Sequence, residues 1–214
     1  MRVLLLGASP ETKSWQEGIK ESFDYTICVD GGLELAKKWG LKVDYVVGDG
    51  DSYGGAFPKD ISQENYPCEK DETDSQLAIE KALEIGAKEI VFCGFLGGRL
   101  DHTLANLALA FSAFSLNDVS CYFQEEWGFC YLADKKTKVI GGSSGDMVSL
   151  IPLFEDVRGI TTEGLKYPLL NETLYWQQSR GISNELLVDK ATITKKEGRL
   201  LIVHTFRSFI KETS

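Results

Sequence analysis

Residues 89–106, which read EIVFCGFLGGRLDHTLAN, give the clearest indication of the fold class. The apolar run 89–93 predicts a buried strand, and two glycines and an arginine then lead into an apolar helical segment. The same alternation predicts further strands over 3–6, 25–29 and 45–47, and helices over 14–22, 33–39, 75–85 and 103–114. Strands that alternate with helices predict an α/β fold, with a parallel sheet that binds its ligands beyond the carboxyl ends of the strands.

The second half of the chain has a different pattern. From about residue 127, glycine-rich or charged turns separate short β-rich runs over 129–132, 147–151, 159–162, 186–188, 191–194 and 200–205. Closely spaced runs of this kind predict a small antiparallel β-sandwich or barrel. Polar residues between 117 and 126 indicate the boundary, so we expect an N-terminal parallel-sheet α/β domain over 1–122 and a C-terminal antiparallel β-sandwich domain over 123–214.

The charge of the chain limits its partners. Among 214 residues, 23 Lys and Arg stand against 32 Asp and Glu, for a net charge of −9. No run of basic residues is present to replace the counterions of a duplex, so we expect no nucleic acid partner. An acidic chain that binds a polyphosphate would need a metal ion between the two, which indicates Mg²⁺.

The cysteines and the apolar runs indicate the compartment. The five cysteines include no C-x-x-C pair, and four of them have apolar or aromatic neighbours. Buried free thiols are therefore expected, and these are typical of a reducing cytoplasm. The apolar run that opens the sequence is too short for a signal peptide, and no stretch is long enough to span a membrane.

The sharpest polar motif is Gly48-Asp49-Gly50-Asp51-Ser52, which directly follows a predicted buried strand. Carboxylates two residues apart in an irregular loop can both face one ion, and Mg²⁺ commonly takes one or two carboxylates together with phosphate oxygens. The alternative is a solvated turn, because Asp, Gly and Ser are the common turn residues.

Two more acidic motifs lie at predicted helix starts. Asp30-Gly31-Gly32 follows the second predicted strand, where its glycines would let the backbone approach a phosphate or a sugar. Lys70-Asp71-Glu72-Thr73-Asp74 precedes the helix predicted over 75–85. Asp30 or Asp74 could instead serve only as a helix cap. Three acidic clusters at one sheet edge nevertheless favour a site for a metal ion and a polyphosphate.

The fourth motif is Gly97-Gly98-Arg99-Leu100-Asp101-His102. A glycine pair and an arginine at a helix start can hold phosphate oxygens, because the guanidinium is a planar fork of donors. The alternative is a tight turn in which Asp101 caps the helix and Arg99 pairs with a carboxylate. No G-x-G-x-x-G or Walker A motif is present. A lone histidine is more often structural than catalytic, and we apply this to both His102 and His204.

In this order, the four motifs resemble the thiamine pyrophosphokinase family, and Asn106 matches the asparagine that follows the fourth motif. The second half is also similar to the family over 148–153, 161–169 and 181–185. One difference is Gly50, where the family usually has a larger apolar residue. Both flanking acids are present, so the difference concerns the rigidity of the loop rather than the metal ligands.

The resemblance implies an N-terminal nucleotide-binding domain, a C-terminal β-sandwich that binds thiamine, and a homodimer with active sites shared between subunits. The implied reaction is attack by the thiamine hydroxyl on the β-phosphorus of ATP, with AMP leaving. Asp51, Asp74, Arg99 and Asp101 would be catalytic, and Asp74 or Asp101 could be the general base. The implied ligands of Mg²⁺ are Asp49, Asp51, Asp30 and Asp74; of ATP, Asp30, Gly31, Gly32, Gly97, Gly98, Arg99, His102 and Asn106; and of thiamine, Ser183 and Asn184.

Two other functions fit the same residues. The first is a diphosphokinase that acts on a different small alcohol, such as a pterin. The second is a regulatory module that binds ATP without turnover, although a binding site alone gains little from so many acidic residues around one phosphate chain.

Overall fold

The computed structural model describes residues 1–48, 62–64, 72–117, 119–133 and 137–213. The chain forms two compact units, Met1–Glu126 and Trp127–Ser214. The first contains a parallel sheet with helices and the second contains antiparallel sheets, which confirms the predicted fold class. None of the described helices is long and apolar enough to cross a membrane.

The first unit is organised around a parallel sheet. Each strand runs parallel to its neighbours, in the order β6-β5-β1-β2-β3-β4. The strands are continuous apolar runs because helices cover both faces of such a sheet, and Val3, Leu4, Leu5 and Leu6 are fully buried. The strands are β1 Arg2–Leu6, β2 Tyr25–Val29, β3 Tyr45–Val47, β4 Ser62–Glu64, β5 Glu89–Cys93 and β6 Ser120–Glu125.

Strand β6 lies in the segment where the sequence predicts the boundary between the two domains. Cys121 and Phe123 alternate along β6 and are buried, and β6 pairs in parallel with β5. The segment between 117 and 126 therefore contains a core strand of the first unit. The expected domain limit at 122/123 lies inside this strand, whereas the compact units separate after Glu126.

The helices of the first unit are α1 Pro10–Ser14, α2 Gly32–Trp39, α3 Asp74–Glu84 and α4 Leu100–Asn117. The last three confirm the helices predicted over 33–39, 75–85 and 103–114. The helix predicted over 14–22 is wrong. The Ser9 side chain accepts a hydrogen bond from the Thr12 N–H and so caps a shorter helix, with Pro10 in its first turn. The chain then leaves the helix at Trp15, whose ring packs edge-on against Trp39.

The second unit is a two-sheet sandwich, with strand orders β12-β9-β14-β7 and β11-β10-β13-β8. Its core includes Val148, Leu150, Ile160 and Ile202, all fully buried. Its strands are short and closely spaced along the chain, which is the pattern that predicted the sandwich. The elements are β7 Gly128–Ala133, β8 Thr137–Gly141, β9 Met147–Pro152, β10 Val157–Glu163, β11 Glu172–Leu174, β12 Asn184–Glu185, β13 Lys190–Thr194, β14 Leu200–Thr205 and α5 Arg207–Thr213.

One predicted strand of the second unit is wrong. The sequence predicts a strand over 186–188, but β12 is Asn184–Glu185 and only Leu186 forms an isolated bridge, with Leu165. Leu186 is fully buried, while Leu187 and Val188 are 53% and 51% exposed. An apolar run therefore does not mark a strand here, because two of its three side chains do not enter the core.

Buried polar and thiol groups agree with the structural roles predicted for them. His204 is fully buried, and its Nε2 shares a hydrogen bond of 2.8 Å with Asp146 Oδ2. Asp146 also accepts hydrogen bonds from the backbone N–H groups of Ser143 and Arg207, so the pair joins the end of β14 to the turn before β9. The free cysteines among the described residues are all buried: Cys28, Cys93, Cys121 and Cys130.

The start of α2 packs directly on the end of β1. A Cβ atom at Gly32 would lie 1.9 Å from the carbonyl oxygen of Leu6. We therefore expect Gly32→Ala to lower the free energy of unfolding by about 3 kcal/mol, because the helix must move away from the strand. Urea unfolding followed by circular dichroism measures this loss.

The adjacent glycine is the matched control for this prediction. A Cβ atom at Gly31 would lie 3.0 Å from the Ala8 Cβ, a contact that a small shift relieves. Gly31→Ala should therefore cost clearly less stability than Gly32→Ala. Equal losses in the two variants would show that contact with Leu6 does not determine the residue at 32.

Candidate functional site

A cleft of about 540 Å³ lies at the carboxyl ends of β1, β2 and β5. The loops that follow these strands form its walls, as expected for ligand sites of parallel sheets. Ser9 and Lys13 from the first loop and helix also line it, together with Glu34 and Ser75. The cleft brings together seven of the residues predicted to bind ATP: Asp30, Gly31, Gly97, Gly98, Arg99, His102 and Asn106.

Asp30 occupies a conformation that is uncommon for a residue with a side chain, with a φ of 48°. Its backbone N–H donates to the Val47 carbonyl at the end of β3, with an N···O distance of 3.0 Å. A Cβ atom at Gly48 would lie 2.6 Å from Asp30 Oδ1, so the carboxylate is packed against the backbone there. Asp30 therefore points towards the start of the acidic loop. Asp49 and Asp51 of that loop lie outside the described residues.

The glycine pair forms a compact turn at one wall of the cleft. Gly97 has a φ of 107°, and a Cβ atom there would lie 2.1 Å from Glu11 Oε2. Its N–H donates to Thr103 Oγ1, and the Gly98 N–H donates to Glu11 Oε1. Side chains from α1 and α4 thus hold the turn in place, and only glycine fits at 97.

Asn106 is buried one turn further along α4. Its Nδ2 donates to the Phe95 carbonyl oxygen over 2.9 Å. The amide therefore fixes the loop between β5 and α4, in addition to lining the cleft.

Arg99 and Asp101 form an exposed ion pair at the mouth of the cleft. Arg99 Nε and Nη2 donate to the two carboxylate oxygens of Asp101 over 3.1 and 2.6 Å. Asp101 Oδ1 also accepts from the backbone N–H of His102. Hydrogen bonding to Arg99 is the main cause that lowers the pKa of Asp101 to about 2. Asp101 is therefore a carboxylate at any pH near neutrality, and it is poorly suited to accept a proton.

Two predicted residues of the first unit are not among the described residues that line the cleft. Gly32 is buried under the start of α2, against Leu6, and does not belong to the described lining of the cleft. Asp74 is the first residue of α3, whose cap is Thr73 and whose next residue, Ser75, lines the cleft. Among the residues that the structure describes, no group of three or more His, Cys, Asp or Glu side chains is arranged to hold a metal ion.

Glu125 is a site residue that the sequence does not reveal. It ends β6 and is only 3% exposed. Its Oε1 accepts from the backbone N–H groups of Gly94, Phe95 and Leu96, and its Oε2 accepts from the Thr12 hydroxyl. Burial raises the pKa of Glu125 to about 7, against the opposing effect of these hydrogen bonds. The carboxylate thus joins helix α1 to the loop after β5, and residues of both line the cleft.

Ser183 and Asn184 lie in the second unit, beside a smaller cleft of about 210 Å³ that Asn184 helps to line. Ser183 has a φ of 58°, and its N–H donates to Ser149 Oγ. The Asn184 side chain accepts from the Tyr167 N–H and donates to the Tyr167 carbonyl. Asn184 therefore fixes the loop at Tyr167, which is itself 63% exposed.

The chain is similar in sequence to known proteins over most of its length. Residues 17–123 match the family described as "Thiamin pyrophosphokinase, catalytic domain", and residues 135–200 match "Thiamin pyrophosphokinase, vitamin B1 binding domain". A thiamine pyrophosphokinase of Bacillus subtilis (strain 168) is 30% identical over 140 residues, which is 65% of this chain and 65% of that protein. Glu125 lies between the two matched spans.

Solved structures share the fold. The crystal structure of thiamine pyrophosphokinase from Bacillus subtilis superposes with a TM-score of 0.79 at 23% identity, covering 96% of this chain and 99% of that one. The corresponding protein from Geobacillus thermodenitrificans gives 0.76 at 26% identity, covering 97% and 99%. The fold of this chain is therefore known from solved structures.

The ion pair at the cleft mouth generates a prediction about proton affinity. Arg99→Gln removes the positive charge and the paired donors, so we expect the pKa of the Asp101 carboxyl to rise from about 2 towards its ordinary value. Carboxyl chemical shifts followed by NMR between pH 2 and 6 measure this change. Arg158→Gln, which removes an exposed arginine beside Glu197, is the control, and it should leave Asp101 unchanged. An unchanged Asp101 in Arg99→Gln would contradict the pairing.

Proposed function

Because the chain belongs to the thiamine pyrophosphokinase family, we propose that it transfers the diphosphate group of ATP to the hydroxyl group of thiamine. In this reaction the hydroxyl oxygen bonds to the β-phosphorus, the bond from that phosphorus to the α,β-bridging oxygen breaks, and AMP leaves. The observation that most supports this proposal is the cleft at the strand ends, which gathers seven of the residues predicted to bind ATP.

We propose that Arg99 holds phosphate oxygens. A guanidinium has five N–H donors, and Asp101 engages only its Nε and Nη2 edge. An exposed ion pair contributes little to stability, so a polyphosphate can displace Asp101 or share the guanidinium with it. Asp101 would orient ATP or the attacking hydroxyl, because its low pKa makes it a poor base. The backbone of Gly31, Gly97 and Gly98 would approach the phosphate chain closely.

Mg²⁺ would be held by carboxylates at the same strand ends. Asp30 fits this role, because its carboxylate lies in the cleft and packs against Gly48, where the acidic loop begins. Asp49, Asp51 and Asp74 complete the proposed ligand set, either directly or through water. When bound, the ion neutralises charge on the phosphate oxygens. The protein supplies position and orientation, which are the main requirements of phosphoryl transfer.

We assign thiamine to the second unit. Ser183 and Asn184 lie beside a cleft there, and its lining includes the exposed side chains of Tyr167 and Ile182. An apolar surface of this kind suits a heteroaromatic substrate or a second copy of the chain. We propose a homodimer in which the ATP cleft of one chain works with the thiamine residues of its partner. The buried free thiols favour the cytoplasm as its location.

The direct test is identification of products. The pure chain incubated with ATP, Mg²⁺ and thiamine should give thiamine diphosphate and AMP in equal amounts, as measured by mass spectrometry. A pterin alcohol in place of thiamine is the matched control and should give no AMP above background. AMP with the pterin alone would assign a different acceptor, and ATP binding without AMP in either case would indicate a regulatory module.

Shared active sites can be tested by mixing two inactive variants. Asp51→Asn damages the proposed ATP site, and Asn184→Ala damages the proposed thiamine site, so each alone should have little activity. In a mixed dimer with shared sites, one site carries both changes and the other carries neither. Random pairing of equal amounts makes about half of the dimers mixed, so roughly a quarter of all sites should regain full activity.

The control for mixing is a pair of samples in which each variant is exchanged only with itself, and subunit exchange is verified by mass. If the sites belong to single chains, every site retains one change and no activity returns. That outcome would contradict the shared site and would leave the assignment of the ATP cleft unaffected.

A further inference from the structure

Glu125 contacts helix α1 and the loop that follows β5, and residues of both line the candidate ATP cleft. We infer that Glu125 is a positioning residue, which acts through Thr12 and Ser9 on the hydroxyl donor that the cleft presents to a bound phosphate. The inference deepens the proposed function and rests on it, because it takes the cleft as the site of ATP.

The first step concerns which carboxylate oxygen can carry a proton. Oε1 accepts from the N–H groups of Gly94, Phe95 and Leu96, over 2.9, 3.3 and 3.4 Å. Backbone N–H groups only donate, so Oε1 must remain an acceptor. A proton bound by Glu125 therefore resides on Oε2.

The second step follows the hydrogen bonds from Oε2 to the cleft. Oε2 lies 2.8 Å from Thr12 Oγ1, and Thr12 Oγ1 lies 2.7 Å from Ser9 Oγ. Both residues are nearly excluded from solvent, with exposures of 1% for Thr12 and 8% for Ser9. Ser9 Oγ also accepts the Thr12 N–H over 3.3 Å, and Ser9 lines the cleft.

The hydrogen bonds that link Glu125, Thr12 and Ser9 can all point in either of two directions. When Glu125 is ionised, the Thr12 hydroxyl donates to Oε2 and the Ser9 hydroxyl donates to Thr12. When Oε2 is protonated it donates to Thr12, Thr12 donates to Ser9, and the Ser9 hydrogen is released to point into the cleft. Protonation of Glu125 thus adds one hydroxyl donor to the cleft and removes one negative charge beneath it.

Glu125 titrates in the range where this change has an effect. Its pKa is raised to about 7, chiefly by burial. On β5 it faces Cys93, whose own pKa is raised well above the ordinary value by burial, so that thiol stays neutral near pH 7. Glu89, at the other end of β5, is half-buried and pairs with Arg2. The remaining titratable groups on the packed elements are exposed at the surface: Glu11 and Lys13 on α1, Arg99 on the loop after β5, and Asp101 and His102 on α4.

Glu125→Gln tests the inference because it mimics the protonated state. The amide oxygen replaces Oε1 as the acceptor, and the amide nitrogen donates to Thr12. The opposite orientation would direct N–H groups against three backbone N–H donors. At pH 6 we expect the variant and the wild type to bind Mg²⁺·ATP equally well. At pH 8 the variant should bind it on the order of fivefold more tightly than the wild type.

Calorimetric titration with Mg²⁺·ATP between pH 6 and 8 measures the dissociation constants of the wild type and of Glu125→Gln, and their ratio is the quantity of interest. The titration of ATP itself cancels in this ratio, which should change with a midpoint near 7. The exposed neighbour gives the matched control, and Glu126→Gln should follow the wild type at every pH.

Thermal unfolding without ATP supplies a second readout. A carboxyl whose pKa is raised in the folded protein contributes stability that is fully present below the pKa it has in the unfolded chain. This stability is lost as the pH rises through the folded-state pKa of about 7. The wild type should therefore lose stability relative to Glu125→Gln between pH 6 and 8. This comparison does not depend on any ligand.

Thr12 provides an independent pair of variants. Thr12→Val keeps the shape of the side chain but breaks the chain of hydroxyl groups, so the pH-dependent component of ATP affinity should become clearly smaller, and only the effect of the Glu125 charge should remain. Thr12→Ser keeps the hydroxyl and should retain that component. This pair decides the question even if Glu125→Gln does not fold.

The possible failures are distinguishable. A wild type that binds no ATP would contradict the proposed function, whatever the thermal unfolding shows. A ratio of dissociation constants that is the same at pH 6 and pH 8, in a wild type that binds ATP, would overturn the role of Glu125 alone. A pH-dependent component in Thr12→Val as large as in the wild type would overturn the path through Thr12 and Ser9.

Discussion

The central position of β1 is the constraint on which the candidate site depends. This strand pairs in parallel with β2 on one side and β5 on the other, and Leu6 lies opposite both Cys28 and Cys93. Three parallel strands that end in register begin their loops at one edge of the sheet, which places the polar motifs of distant segments together. Gly32 allows α2 to start directly against Leu6. The walls of the cleft are therefore set by strand register and by one close backbone contact before any ligand binds.

The buried Glu125 carboxylate extends that constraint from the strands to the loops. Removing a carboxylate from water is unfavourable unless hydrogen bonds replace the lost hydration. Three backbone N–H groups and one hydroxyl do so here, and they come from the loop after β5 and from α1. Loops held in this way need little rearrangement when a phosphate chain binds, which is the condition for effective electrostatic stabilisation. The raised pKa shows that compensation is incomplete, so the group that fixes the loops is also sensitive to pH.

Local patterns predicted the sheet and most of the helices, because continuous apolar runs and helical periodicity are properties of short segments. The same patterns placed Asp30, Gly31 and Gly97 at one edge, and all three line the cleft. Glu125 could not be found in this way, since its partners lie at Thr12 and in the loop after β5, and its polar neighbours suggest an exposed boundary. The start of α1 was missed for a different reason. The Ser9-Pro10 cap starts the helix at residue 10, before the segment in which the sequence pattern predicted it. The roles of Asp49, Asp51 and Asn184 remain predictions.

The charge of the cleft supports the proposal that the ligand is a metal–nucleotide complex rather than a free anion. Among the described lining residues, Lys13 and Arg99 are balanced by Asp30 and Glu34. Such a lining offers no net attraction to a polyphosphate, in an acidic chain of net charge −9. A phosphate chain that arrives with its own divalent cation brings the missing positive charge, and the carboxylates then become ligands rather than repelling groups. We therefore propose that the cleft binds the metal complex in preference to the bare nucleotide, and that a protonated Glu125 would shift the balance of charges further towards anion binding.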